Sequence, residues 1–544
     1  MRDPSPTPQP WVAALGPSLA EALPRLYGSH CDPLIGELIH ALTAALARGE
    51  LELDLNGPAP AGVSEASWPE GHGRAVADSP LCRDPDGPLA LEAGRLQWRR
   101  WQRQRQEVIE ALISRSGSLK PPASGAMAGA EGLPELAALD GRQRQAVAAV
   151  LNHGLVLLEG GPGTGKTSTV AAMIAAVRAA EPGGRLHLAA PTGKAAGRLR
   201  AATGGTIPCT TLHRLLESRG DRFGRHRGRP LELDLLVVDE VSMLDLGLMA
   251  ALLEALPGSC RLVLVGDPGQ LPPIAPGAVL QELQRPEHRD QLGAAAITLT
   301  TTYRNAGAIA AVASALRQGL ATGAVTTNPI ASILPLLKAL EPSDNLQWRH
   351  GSPRTLPPEL LERLRRHQAS LAGLAANCRP GTGTGQGGHA LLAERDRLLV
   401  MAPQRQGPWG LEAIHRSLLG GRLDGVLQDL PPGTPVLCRR NLPELDLANG
   451  DVGLLVGGPG PSARLLFGDG EGELLWIHPG QLAGAAEPAL ALTVHKAQGS
   501  EADEVIVLLP SGGSQDGRLL YTALTRARQR ALLLTAAASS VYEK

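Results

Sequence analysis

The sequence predicts an α/β protein built on two sets of parallel strands, with a helical N-terminal segment before them and a small β-rich insertion in the second set. Three observations carry this expectation. The runs LVLLEG (155–160), LHLAAP (186–191), LLVVDE (235–240), RLVLVGD (261–267) and ITLT (297–300) are short and apolar, and helical or loop-like sequence follows each. That pattern marks a doubly wound sheet covered on both faces. A second group, DRLLVMAP (396–403), LALTVHKAQG (490–499), EVIVLLP (504–510) and ALLLTA (531–536), repeats it. Between the first two of these lie TPVLCRR, DVGLLVGG, ARLLFGDG and ELLWIH, β runs broken by turn residues that read as a small inserted barrel at about 430–485.

Length and composition bound the rest. At 544 residues the chain exceeds one core, and at ~100 to 200 residues per domain it divides into roughly three or four units. The expected boundaries are 1–118, 133–295 and 296–544, with a Pro/Gly/Ala/Ser-rich linker at 120–132. A net charge of −1 excludes the global basic field of a nucleic-acid coat protein, so any contact with nucleic acid has to be local. Aromatic residues are only 2%, which leaves few platforms for base stacking. The six cysteines, at 31, 82, 209, 260, 378 and 438, form no CxxC pair. They read as free thiols in a reducing compartment, and with no apolar leader and no long apolar run the chain reads as cytoplasmic.

From Trp11 to about Ala47 the apolar spacing is helical, and 56–87 reads as loop. PLALEAGRLQWRRWQRQRQEVIEAL (88–112) is a short strand-like run leading into a basic helix. Its Arg99, Arg100, Arg103 and Arg105 either grip phosphate or another subunit, or form a solvated face. Residues 318–390 carry little signal, and 381–388 reads as a loop.

The chemistry begins at LVLLEGGPGTGKT. Glycines in Gly160, Gly161, Pro162, Gly163, Thr164, Gly165, Lys166 and Thr167 let backbone N–H groups curl around phosphates at a helix N-terminus. Lys166 would reach the β and γ phosphates of ATP, and Thr167 would ligate Mg²⁺. Asp239 and Glu240 end an apolar strand, where Asp239 suits the Mg²⁺ shell and Glu240 suits polarising the attacking water. Gln270, at the end of another strand, is an uncharged group suited to sensing the γ phosphate. Arg304 in TLTTTYRNAGAI and Arg526 in LLYTALTRARQR are cations able to reach a transferring phosphoryl group from a second domain. Gln143 in LDGRQRQAV could hydrogen-bond an adenine edge.

Taken in order, these runs resemble superfamily 1 helicases across most of residues 139–535. TLHRLLESRGDRFGRHRGRPLELDLLVVDEVSMLD, LTVHKAQGSEADEVIVLLP and YTALTRARQR are very similar to the alpha-subunit family of exodeoxyribonuclease V. The resemblance implies two RecA-like P-loop domains clamping ATP and Mg²⁺, a small β-barrel in the second, and 5′ to 3′ movement on single-stranded DNA. It also implies an N-terminal docking domain and two larger partner subunits in a RecBCD-type heterotrimer that works at double-stranded DNA ends. APTGKAAGRL with Thr192, TLHRLL with His213, and LTVHKAQGSE with Thr493 and His495 match the family's strand-gripping motifs. Asn305 departs from the pattern, since an aromatic is expected after the Tyr303–Arg304 pair. No carboxylate-rich nuclease motif is visible, which assigns any nuclease to a partner. Other readings are a free-standing helicase of the same branch, a non-motor subunit that binds ATP to hold its shape, and a metabolic P-loop kinase.

Overall fold

A computed structural model describes residues 10–27, 32–117, 134–220, 222–303, 307–321, 328–379, 386–458, 460–468, 473–510 and 516–536. The first large sheet has six strands in the order Ala296–Leu299, Leu155–Gly160, Arg261–Gly266, Leu235–Val238, Leu186–Ala190 and Cys209–Thr211. All neighbours are parallel. Alternation along the strands sorts the apolar residues between two cores. Val156, Leu158, Val237 and Val263 face the helices Gly141–Asn152, Lys166–Ala180 and Gly193–Ala202. Leu155, Leu157, Val238 and Leu264 face Leu246–Ala255 and the long helix Arg99–Ser116. The strand Ala296–Leu299 pairs with Leu157–Gly160, so a boundary at 295/296 would cut through this sheet.

The second sheet is also parallel, in the order Leu346–Gly351, Ala527–Ala536, Ala502–Leu509, Leu398–Ala402 and Leu492–Thr493. Its edge strand Leu346–Gly351 falls where the sequence offers little signal, because only Leu346 of that strand is buried. Between Leu398–Ala402 and Leu492–Thr493 the chain inserts a five-stranded antiparallel sheet with Pro435–Cys438, Val452–Val456 and Arg464–Gly468 at its centre. Its outer strands, Leu474–Ile477 and Ala486–Pro488, are not paired with each other among the described residues. The helices Pro358–Ala376 and Gln386–Arg395 cover it through Leu371, Ala375 and Leu391, so Gln386–Gly388 are helical, while 380–385 lie outside the described residues.

The N-terminal unit is more than helical. Pro10–Leu26 and Pro33–Ala47 pack with a three-stranded antiparallel sheet, and the stretch read as loop contains the helix Glu70–Asp78. The basic helix then corrects its own expectation. Arg99 donates to the carbonyls of Gly87, Cys82 and Leu89, and Arg103 donates to that of Pro85. Arg105 pairs with Glu52 at 2.9 Å. Three of the four arginines therefore tie the N-terminal unit together, and only Arg100 turns outward, over the Trp101 ring. Farther along, Val108, Ile109 and Leu112 join the core of the first sheet. Arg115 donates to the carbonyls of Leu256, Pro257 and Cys260 at 2.7, 2.9 and 3.2 Å.

Arg115→Ala leaves those three carbonyls without their donor and should lower stability by roughly 1–3 kcal/mol. The midpoint of chemical unfolding measures this; an unchanged midpoint would remove the clamp between the helix and the sheet.

Candidate functional site: a nucleotide cleft between two sheets

Strand Leu155–Gly160 runs straight into the glycine loop, and the Lys166–Ala180 helix starts on Gly165 at φ +81°. A side chain there would be strained by that φ, and its Cβ would stand 2.5 Å from Gln143 Nε2. Thr164 Oγ1 donates to the Gly161 carbonyl at 2.8 Å, and Lys166 Nζ donates to the carbonyls of Gly160 and Gly161 at 2.7 and 3.0 Å. Unpaired N–H groups at the helix start and a lysine at the loop centre make a site for phosphate. Gln143 is buried beneath it, with Oε1 accepting the Asp140 N–H at 3.0 Å in a capping box. Tyr303 lies over the same loop: its N–H donates to the Gly163 carbonyl at 2.8 Å and its hydroxyl to Asp140 at 2.7 Å, while 56% of the residue stays exposed.

Asp239 and Glu240 follow the strand Leu235–Val238. Glu240 adopts φ +54°, a costly conformation for a non-glycine residue. Burial and the neighbouring Glu240 charge push the Asp239 carboxyl up to about 6. Burial would raise Glu240 as well, but Arg526, Arg198 and Lys166 together outweigh it and hold that carboxyl below the usual range. Arg526, on the second sheet's side, is buried and places Nη1 at 3.9 Å from Glu240 Oε1.

The loop after Arg261–Gly266 is stitched to the second sheet by buried bonds. Tyr521 donates its hydroxyl to Asp267 at 2.7 Å. The Leu271 N–H donates to Thr522 Oγ1 at 2.9 Å, and the Leu271 carbonyl accepts from Gln498 Nε2 at 3.0 Å. Gln270 is buried in this stitch, and its Oε1 has no hydrogen-bond partner. Lys166, Asp239, Glu240, Gln270 and Arg526 thus gather around one seam. Arg304 and Asn305 lie outside the described residues.

Residues 138–329 match the AAA domain family and 488–534 the UvrD-like helicase C-terminal domain. The RecBCD enzyme subunit RecD of Mycolicibacterium smegmatis is 36% identical, with 92% of this chain and 90% of that one aligned. This chain belongs to the RecD family. The subunit of the same name from Mycobacterium tuberculosis H37Rv is 32% identical over 93% of this chain and 88% of its own. The ATP-dependent RecD2 DNA helicase of Deinococcus radiodurans is 32% identical over 78% of this chain and 53% of its own length.

The residues matched to the RecD strand-gripping motifs fall on both sides of the seam. Thr192 caps the Gly193–Ala202 helix, its Oγ1 accepting from Ala195 N at 3.3 Å, so its side chain already has a structural role. A Cβ on Gly499 would lie 2.8 Å from that oxygen, which puts the Thr493–Gly499 turn against the cap. Thr493 Oγ1 accepts from Lys496 N at 3.3 Å within that turn. His495 is half-buried, and burial lowers its pKa. His213 sits on the short helix Leu212–Leu215, near Phe223, and burial lowers its pKa too.

Sequence reasoning passed over three RecD residues that the fold brings here. Tyr521 and Arg198 lie inside the quoted runs YTALTRARQR and APTGKAAGRL, but neither residue type in a helix announces a site. Arg317 had no signal at all. It lies on the helix Ala308–Ala321, and a Cβ on Gly161 would be 3.0 Å from its Nη1 and 3.3 Å from the Tyr521 hydroxyl. Among the described residues Arg317 has no hydrogen bond or ion pair, so its cation faces the phosphate loop uncommitted.

Arg317→Ala should lower kcat/KM for ATP about tenfold, the scale of one charge-assisted hydrogen bond. Because no protein group loses a partner, the melting temperature should not move; unchanged ATP kinetics would exclude contact with the phosphates.

Proposed function

We propose that this chain is the ATP-driven helicase subunit of a RecBCD-type complex that processes double-stranded DNA ends, moving 5′ to 3′ on a single strand. The observation that carries the reading is the seam, where a glycine-rich phosphate loop and two acidic strand ends of one sheet face a buried arginine of another. A kinase built on a single α/β core has no use for that second sheet. A subunit that binds ATP only to hold its shape has no use for Glu240 held as a carboxylate beside Lys166 and Arg526.

In this reading the two parallel sheets are the RecA-like domains, the antiparallel insertion is the family's small barrel, and the N-terminal unit docks the partners. Gly160 to Thr167 hold the phosphates, Lys166 neutralises them, and Gln143 and the exposed Tyr303 border the place of the adenine. Thr167 and Asp239 offer hard oxygen ligands of the kind Mg²⁺ prefers. That ion takes only one or two protein groups and otherwise binds phosphates and water; among the described residues no three or more His, Cys, Asp or Glu are placed to hold a metal ion by themselves. When bound, Mg²⁺ supplies charge neutralisation at the phosphates. Glu240 accepts a hydrogen bond from the attacking water, and Arg526 and Arg304 stabilise the charge that spreads over the transferred group. Gln270 senses the γ phosphate and passes its state to the second sheet through the Leu271 bonds.

Thr192, His213, Thr493 and His495 grip phosphates of the strand. Hydroxyls and backbone amides at helix ends read no bases, which suits a machine that must pass over every sequence. A cytoplasmic setting belongs to the same proposal; among the described residues no helix is long and apolar enough to cross a membrane.

Lys166→Gln should abolish DNA-stimulated ATP hydrolysis while leaving the circular-dichroism spectrum and melting temperature in place; undiminished turnover would sink the phosphate-loop assignment. Arg526→Ala should cut turnover by roughly 10³ to 10⁵, as for an arginine finger, with nucleotide affinity little changed. Purification from the native host should recover two larger subunits, and a strand-displacement assay should show preference for 5′-tailed duplex. A lone chain that unwinds such a duplex would favour the free-standing reading.

A further inference from the structure

We infer that Arg198 is a positioning residue through which a strand held at the start of the Gly193–Ala202 helix controls the Glu240 carboxylate. The inference rests on the motor reading above and adds the route by which DNA stimulates hydrolysis.

One guanidinium makes both connections. Arg198 Nη2 donates to Glu240 Oε1 at 2.9 Å, and Nη1 lies 2.7 Å from Glu501 Oε1. Glu240 ends a strand of the first sheet, and Glu501 follows the Thr493–Gly499 turn and precedes the Ala502–Leu509 strand of the second. Arg198 therefore bridges the water-polarising group of one lobe to the strand-gripping turn of the other.

Its helix is wedged at the other end. Thr192 caps it, and Lys194 Nζ donates to Ser500 Oγ at 3.0 Å. A Cβ on Gly193 would stand 2.9 Å from Asp451 Oδ1, so the first turn has no slack against the inserted sheet. Arg198 lies six residues from Thr192, about 9 Å along a helix at 1.5 Å per residue, and a helix this short moves as one body. A DNA phosphate entering the wedge displaces the first turn and carries Arg198 with it.

The chemical consequence lies at Glu240 Oε1. An oxygen that accepts from a guanidinium is a poorer acceptor for water. Drawing Arg198 toward Glu501 frees that oxygen to accept from water. Strand engagement thereby sets how much of the time Glu240 can polarise water.

The test measures ATP turnover by the full-length chain with and without an unstructured oligothymidylate. Arg198→Gln should raise DNA-free turnover about tenfold, the scale of one charge-assisted hydrogen bond, and shrink the stimulation ratio without changing KM for ATP. Glu501→Gln, which keeps the Glu240 contact, should leave DNA-free turnover low and reduce the stimulated rate; Arg198→Lys should fall between Arg198→Gln and the parent. A parent-like ratio in Arg198→Gln overturns the inference, including when both rates drop together as a purely structural defect would cause. If Arg198→Gln does not fold, the ratio in Glu501→Gln decides in the same way. A parent chain with no DNA stimulation would instead count against the motor reading itself.

Discussion

Three carboxylates at strand ends of the first sheet, the part-buried Asp239 and Glu240 and the fully buried Asp267, line the seam between two sheets, and their withdrawal from water constrains everything around them. A charge removed from water needs a counter-charge or a set of hydrogen-bond donors. The first sheet supplies only part of what is required, through Lys166 and Arg198. The rest arrives from the second: Arg526 at Glu240 and the Tyr521 hydroxyl at Asp267. The two lobes are thus joined by the same groups that would carry the chemistry. Separating the two sheets would strip Glu240 of Arg526 and Asp267 of the Tyr521 hydroxyl.

Backbone geometry cooperates with this arrangement. Glycine at 165 lets the loop turn left-handed against Gln143, so the buried amide and the loop define one another. The φ of +54° at Glu240 turns its carboxylate toward Arg198 rather than along the strand. Such strain persists only where surrounding contacts over-determine it, and here three cations do so. The N-terminal unit is fastened to the back of the first sheet, where Arg115 and the apolar side of its helix fill the second core. Arg99, Arg103 and Arg105 use their donors for internal bonding, and Arg100 is left on the outer surface.

Much of the architecture was legible because buried parallel strands are dense in Leu and Val and end abruptly in acidic or polar residues. LLVVDE and RLVLVGD show both features at once. Where burial is slight the signal fades. Leu346–Gly351 is a strand only because Ala527–Ala536 offers it an edge, and the LALTVHKAQG run yields a strand of two residues, since the rest turns to face Thr192. The basic helix misled for a related reason: a count of arginines does not tell whether carbonyls and carboxylates distant in sequence will consume them.

By itself the sequence determined the phosphate loop, the acid pair, the alternation of apolar strands with helices and the presence of a second α/β set, because each is written in neighbouring residues. Only the tertiary structure decided which cations reach the acid pair and the glycine loop, and which hydroxyl reaches Asp267. Arg198, Arg317, Tyr521 and Arg526 stand 42, 156, 254 and 286 residues from Glu240, Gly161, Asp267 and Glu240 respectively. The Arg198 contact depends on how a helix packs on the first sheet and the others on how two sheets dock, and both follow from shape and burial spread across the whole chain, which no local pattern records.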